Sequence, residues 1–200
     1  RSAIDGFIWM VTFLTVILFS IDGGLLVGMI LSMLLLIYNG LSGNLSILGN
    51  VNGTDLFLDV ENFKKANEIP GIKIVQYSGT INFASKTSFK SKFCDKLGVN
   101  LLKELKYLEV KNDIKVSKSF TSNINFKNLI IDFSALTNID ASSVNMLSEL
   151  IKDFQKLNVK VFLVCNSPQI YGILIKNEFS FMKTLFLSIK DANSQISKQY

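Results

Sequence analysis

The run Asn128-Leu129-Ile130-Ile131-Asp132-Phe133 leads through residues 134–140 into Val144, Leu147, Leu150, Ile151 and Phe154. The first six residues are a short apolar run suited to a buried strand. The last five recur at helical spacing, which places them on one face of an amphipathic helix. Ser134 to Asp140 reads as the loop between them. The alternation continues downstream: Val159 to Cys165 is the next strand, and Asn166-Ser167-Pro168 opens a helix. Pro168 takes a tolerated first-turn position, and Ile170, Ile173 and Leu174 form the inner face. Leu185-Phe186-Leu187 and a helix from about Ile189 follow. A β-α-β-α order implies an α/β layer with partly parallel strands.

Working upstream, Ile72 to Gly79 alternates as a half-buried strand and Thr80 to Ala84 continues as an extended piece. Ser85 stands where a helix N-cap would be, and Phe89, Phe93 and Leu97 form a single apolar stripe behind it. Residues 98–126 are Lys-, Asn- and Ser-rich. A short helix is expected around Leu101 to Leu108, and Val110 to Asn125 reads as a mobile insertion. Ser46 to Gly49 and Leu56 to Leu58 look like short extended segments.

Before Asn44 the texture is different. Residues 6–38 are almost wholly apolar, broken by Asp22-Gly23-Gly24. A spanning helix needs about 20 apolar residues, so one continuous helix would be too long for one crossing. Two rather short helices meeting near Asp22 are expected. Asp22 is then a solvated turn residue. Gly24 and Gly28, extended by Ser32, have a small-xxx-small spacing that lets another helix approach closely.

Composition narrows the function. The formal net charge is +5 with no His. The Lys residues are scattered on solvated faces, and no basic run interleaved with aromatics suggests nucleic-acid binding. Cys94 and Cys165 are far apart, so with no His a zinc site is not expected and the thiols are read as free. A Ser-His-Asp or Cys-His centre cannot be built. No paired carboxylates or Gly-rich phosphate loop stand in a recognisable context. No enzyme, metal or cofactor is therefore expected.

The loop Asp132-Phe133-Ser134-Ala135-Leu136-Thr137-Asn138-Ile139-Asp140-Ala141-Ser142-Ser143 resembles the signature loop of STAS domains. The runs Asp5 to Phe13, Asp22 to Gly28, Leu48 to Asp55, Ile69 to Ile74, Ile81 to Ala84 and Leu185 to Ala192 resemble the end of the SulP family, the sulfate permeases or solute-carrier family 26 anion exchangers. The resemblance implies a membrane α-helical hairpin followed by an α/β STAS domain, with a mixed sheet and helices mainly on one side. The expected boundaries are 1–40 for the last two membrane helices, 41–54 for a linker and 55–200 for the STAS domain, with the variable insertion at 98–126. The chain starts at Arg1 and is read as the C-terminal part of a longer protein with about a dozen more helices before it.

The resemblance further implies secondary-active transport or exchange of anions of the sulfate, chloride, bicarbonate or oxalate class. The anion site would lie in the preceding helices, so this segment holds no substrate-binding residue. Expected partners are the lipid bilayer, a second copy in a homodimer and cytosolic regulatory proteins. The expected location is a multi-pass membrane protein of the plasma membrane, with the STAS domain in the cytoplasm. The alternative is a membrane-tethered STAS interaction module without transport. The loop residues Asp132, Ser134, Asp140, Ala141, Ser142 and Ser143 carry a structural or regulatory role on this reading. In anti-sigma-factor antagonists the loop reads Asp-Ser-Ser-Gly and the first Ser takes a phosphate. Here that position is Ala141, whose methyl cannot. Ser142 or Ser143 is expected to cap the helix, and Asp140 to be a structural cap rather than an acid catalyst.

Overall fold

The computed structural model describes residues 2–18, 20–41, 43–113 and 124–198. The chain divides into two compact units, Arg1–Ser42 and Gly43–Tyr200.

The first unit is a pair of packed helices, α1 (Ser2–Leu18) and α2 (Ile21–Leu41). At 1.5 Å per residue they span roughly 25 and 32 Å. Within α2, Ile21–Tyr38 is long and apolar enough to cross a membrane, with mean hydropathy 2.1, and α1 is a shorter apolar helix. Asp22-Gly23-Gly24 do not form the turn. They lie in the first turn of α2, because Ser20 starts that helix: its hydroxyl accepts from Gly23 N at 3.2 Å and its carbonyl from Gly24 N at 3.0 Å. The exposed Asp22 carboxylate sits at the positive end of the helix dipole. The glycine spacing is used inside the hairpin. A Cβ on Gly28 would lie 2.9 Å from Thr12 Oγ1, and one on Gly24 would overlap Val16. The pairings 28 to 12 and 24 to 16 run in opposite directions along the two helices, so the hairpin is antiparallel.

The second unit is an α/β layer. Its strands are β1 (Asn44–Val51), β2 (Phe57–Asp59), β3 (Ala66–Asn67), β4 (Ile72–Ile81), β5 (Asn128–Asp132), β6 (Leu136–Ile139), β7 (Lys160–Val164) and β8 (Leu185–Phe186). The sheet order is β2-β1-β4-β5-β7-β8, with β3 on β1 and β6 on β4. β1 is antiparallel to β4, whereas β4, β5, β7 and β8 are mutually parallel. Helices α3 (Lys86–Leu97), α4 (Leu101–Asp113), α5 (Ala141–Lys156) and α6 (Pro168–Lys176) cover one face, and α7 (Ile189–Ser197) packs on the other. Period-2 alternation divides the strands between the faces. Val75, Leu129, Ile131, Val161 and Leu163 meet α3, α5 and α6, while Ile74, Ile130, Phe162 and Val164 meet Ala192 and Ile196 of α7.

Three expectations change. Residues 44–51 of the expected linker are β1, hydrogen-bonded over five registered pairs to β4. Leu136–Ile139, expected as loop, is β6, paired with β4 at Gly79, Thr80 and Ile81. The helix expected to end near Leu108 continues to Asp113, so the start of the expected insertion is helical, and 114–123 lie outside the described residues.

Candidate functional site

The carboxyl ends of β4 and β5 and the amino end of α5 gather the loop residues into two hydrogen-bond networks. Asp132 ends β5 and is 2% exposed. A buried carboxylate must be paired or hydrogen-bonded. Here Oδ2 accepts from Gln76 Nε2 at 2.7 Å, and Oδ1 from Ser134 N at 2.9 Å and Ser134 Oγ at 2.5 Å. Asp132 and Ser134 thus fix the sharp exit of the chain from the sheet.

The second network surrounds Asp140, the N-cap of α5. Its Oδ1 accepts from Ser143 N at 2.8 Å and its Oδ2 from Phe83 N at 2.7 Å. Partial burial raises the carboxyl pKa, but the hydrogen bonds from Ser143 and Phe83 and the nearby Lys86 charge outweigh it, and the net shift is downward. Asp140 is therefore held in its ionised form and accepts one backbone N–H on each oxygen, which suits a helix cap. Ser142 and Ser143 do not cap the helix. The Ser142 hydroxyl meets Lys86 Nζ at 2.6 Å. The buried Ser143 hydroxyl, lying by the Asp140 carboxylate, makes no well-aligned hydrogen bond. Ala141 is exposed. Lys86 also stands 4.4 Å over the Phe83 ring.

Ser85 occupies the N-cap position of α3 without a capping side-chain bond. Its hydroxyl turns back to Thr80 O at 3.2 Å and accepts from Asn82 N at 3.0 Å. Asn82 does the capping instead: its Oδ1 accepts from Ser85 N and its carbonyl from Lys86 N. Gln76, Asn82, Phe83 and Lys86 are the site members that the sequence does not announce. They contact loop residues 56 or 57 positions away, or cap through a short Asn turn, and neither leaves a periodic signal.

Burial holds the Cys94 thiol up at about 11 and raises Cys165 as well. Among the described residues no group of three His, Cys, Asp or Glu could hold a metal ion. What the geometry provides is a rigid loop with an exposed rim of Phe83, Thr137, Asn138 and Ala141.

Comparison with known proteins agrees with that architecture. The STAS domain family matches residues 64–192. Prestin from Mus musculus is 25% identical over 245 residues, covering 96% of this chain and 33% of the relative. A sulfate transporter from Equus caballus is 28% identical over 192 residues, covering 89% of this chain and 26% of the relative. The solved structure described as the overall structure of SLC26A9 superposes with a TM-score of 0.79 at 29% identity, covering 100% of this chain and 31% of that one. The chain spans about a third of the length of the curated relatives it matches.

Proposed function

This chain belongs to the STAS domain family, in the branch formed by the solute-carrier family 26 and SulP anion transporters, and on that premise we propose that it is the C-terminal part of a secondary-active anion transporter. The observation that carries the reading is the reach of the similarity. It runs through the apolar hairpin as well as the α/β unit, over 96% of the chain in sequence and 100% in structure. A STAS domain standing alone would match only after residue 43.

On this reading α1 and α2 are membrane-spanning helices, and their exposed apolar side chains, such as Phe7, Trp9, Met29 and Leu36, face sister helices or lipid. They belong to the static part against which a substrate-carrying part moves. The STAS domain, residues 55–200 with β1 joined to it, lies in the cytoplasm, holds two protomers together and receives regulatory proteins. Its role is structural and regulatory, and it carries out no chemistry. The transported species is a small anion of the sulfate, chloride, bicarbonate or oxalate class, bound by helices outside this segment. The plasma membrane is the proposed location.

The test is anion flux by the full-length protein in proteoliposomes. Uptake of at least one of labelled sulfate, oxalate, chloride or bicarbonate, dependent on an opposing anion, is expected. Correctly inserted protein that moves none of them would favour the tethered module instead.

A further inference from the structure

At Gly43, the first residue of the α/β unit, three backbone features converge. A Cβ on Gly43 would overlap the ring and hydroxyl of Tyr77. Gly79 has φ +131, a conformation that L side chains rarely adopt, and a Cβ there would lie 2.8 Å from Gly43 Cα. β4 also changes partner here. Ile72 to Gln76 pair with β5, Gly79 to Ile81 pair with β6, and the β4–β6 register shifts between Gly79 and Thr80. The partner skips from Leu136 to Asn138, so the extra residue is Thr137 of β6, and such an irregularity re-aims its strand at a defined point.

Tyr77 is 2% exposed, its ring held edge-on against Phe89 at 4.8 Å. Its hydroxyl donates along β4 to Thr80 O at 3.0 Å, past Gly79 and beside the extra residue Thr137 of β6. Burial raises the pKa of that hydroxyl, so it stays a donor at neutral pH. Beyond the bulge the links run straight into the signature loop. Gly79 N donates to Ala135 O at 3.3 Å, Thr137 Oγ1 to Gly79 O at 2.9 Å, the Thr80 and Thr137 hydroxyls meet at 2.8 Å, and Asp140 N donates to Ile81 O at 3.2 Å.

We propose that Gly43, Tyr77 and Gly79 form a rigid joint that fixes the start of β1 to β6 and the signature loop, so that the two move as one body. Glycine is required at both positions because the backbone of one lies against the other and the Tyr77 ring fills the remaining space. The tyrosine hydroxyl ties the two sides of Gly79 on β4 to each other. Tyr77 acts as a positioning residue: it holds the loop through β6 and meets no ligand. The consequence is that a partner or modification acting on the loop rim is felt at the residue where the chain passes into this domain.

The test is amide hydrogen exchange on the full-length protein, read in peptides covering 43–47, 134–141 and the core strands β5 and β7, and it does not depend on transport. Gly43→Ala is expected to speed exchange by roughly tenfold or more in both 43–47 and 134–141, leaving β5 and β7 at their wild-type rates. Tyr77→Phe keeps the ring and removes one donor. It is expected to speed 134–141 in the same direction. Gly53→Ala, at another positive φ but with open space around it, is expected to leave 134–141 unchanged. Acceleration confined to 43–47 in Gly43→Ala overturns the joint, as does an equal effect of Gly53→Ala on 134–141. If Gly43→Ala opens the whole domain, Tyr77→Phe decides alone: faster exchange at 134–141 supports the joint, and a wild-type rate there overturns it.

Discussion

Asp140 holds two chain segments at once, the first turn of α5 through Ser143 N and the β4–α3 turn through Phe83 N. Loss of an N-cap carboxylate costs about 1 kcal/mol, and Asp140→Ala is expected to lower the stability of the α/β unit by that amount at neutral pH. The sign of the pH dependence follows from the lowered folded-state pKa. The ionised cap stabilises above the unfolded carboxyl value of about 3.9, and the benefit is lost as pH falls through the folded value. Denaturant midpoints of wild type and Asp140→Ala should therefore differ at pH 7 and converge on acidification below about pH 4. A gap that stays constant with pH would mean that shape, and not charge, makes the cap. Ala141 beside it is exposed and carries only a methyl, and the Ser142 hydroxyl is engaged with Lys86.

Among the elements, the hairpin is set by small residues. Thr12 faces Gly28 closely enough that an added Cβ would fall 2.9 Å from its hydroxyl and 3.0 Å from its methyl. Gly28→Leu is expected to cost about 1–3 kcal/mol by overpacking, read as a fall in melting temperature of the full-length protein in detergent. Thr12→Ala in the same chain should recover part of that loss, since contacting positions couple. Strict additivity of the two substitutions would place the contact elsewhere. Elements such as these are legible when burial imposes a period. The stripe Val144, Leu147, Leu150, Ile151 and Phe154 is wholly buried on α5, and Phe89, Phe93 and Leu97 are buried on α3. β6 has a buried residue at each end and two exposed ones between, so Leu136-Thr137-Asn138-Ile139 shows no alternation and reads as loop. Ser46 to Gly49 reads as extended and lies within β1, but the full extent of the strand, Asn44–Val51, is masked by Asn, Ser and Gly. Its main partner is β4, about 30 residues away, and local pattern carries no trace of such pairing. The capping role of Asn82 is hidden for a related reason: Ser85 has the right identity in the right place, but its hydroxyl is drawn inward to Thr80.

For the whole molecule, the division into an apolar hairpin and an α/β unit separates two kinds of failure. Ile131 is at the centre of the sheet, fully buried between β4 and β7 and facing the cluster that includes Val75, Leu147 and Leu163. Ile131→Asp places an unpaired charge there, with no donor inherited from the wild-type packing. Its cost is several kcal/mol, on the order of 4 or more, which is a large share of the roughly 5–15 kcal/mol that holds an ordinary domain folded. The Asp132 carboxylate one residue on is tolerated because Gln76 and Ser134 supply three hydrogen bonds, so the outcome depends on available donors and not on acidity as such. If the α/β unit serves assembly and regulation, with the anion bound by helices outside this segment, the damage should appear as quantity and not as selectivity. Full-length Ile131→Asp is expected to be retained inside the cell, with surface protein reduced several-fold, and the molecules that do reach the surface should rank anions as wild type does. Surface biotinylation together with competition flux measures both. Wild-type surface abundance would contradict the placement of Ile131 in the core, and a changed anion ranking per surface molecule would give the STAS domain a direct part in substrate choice.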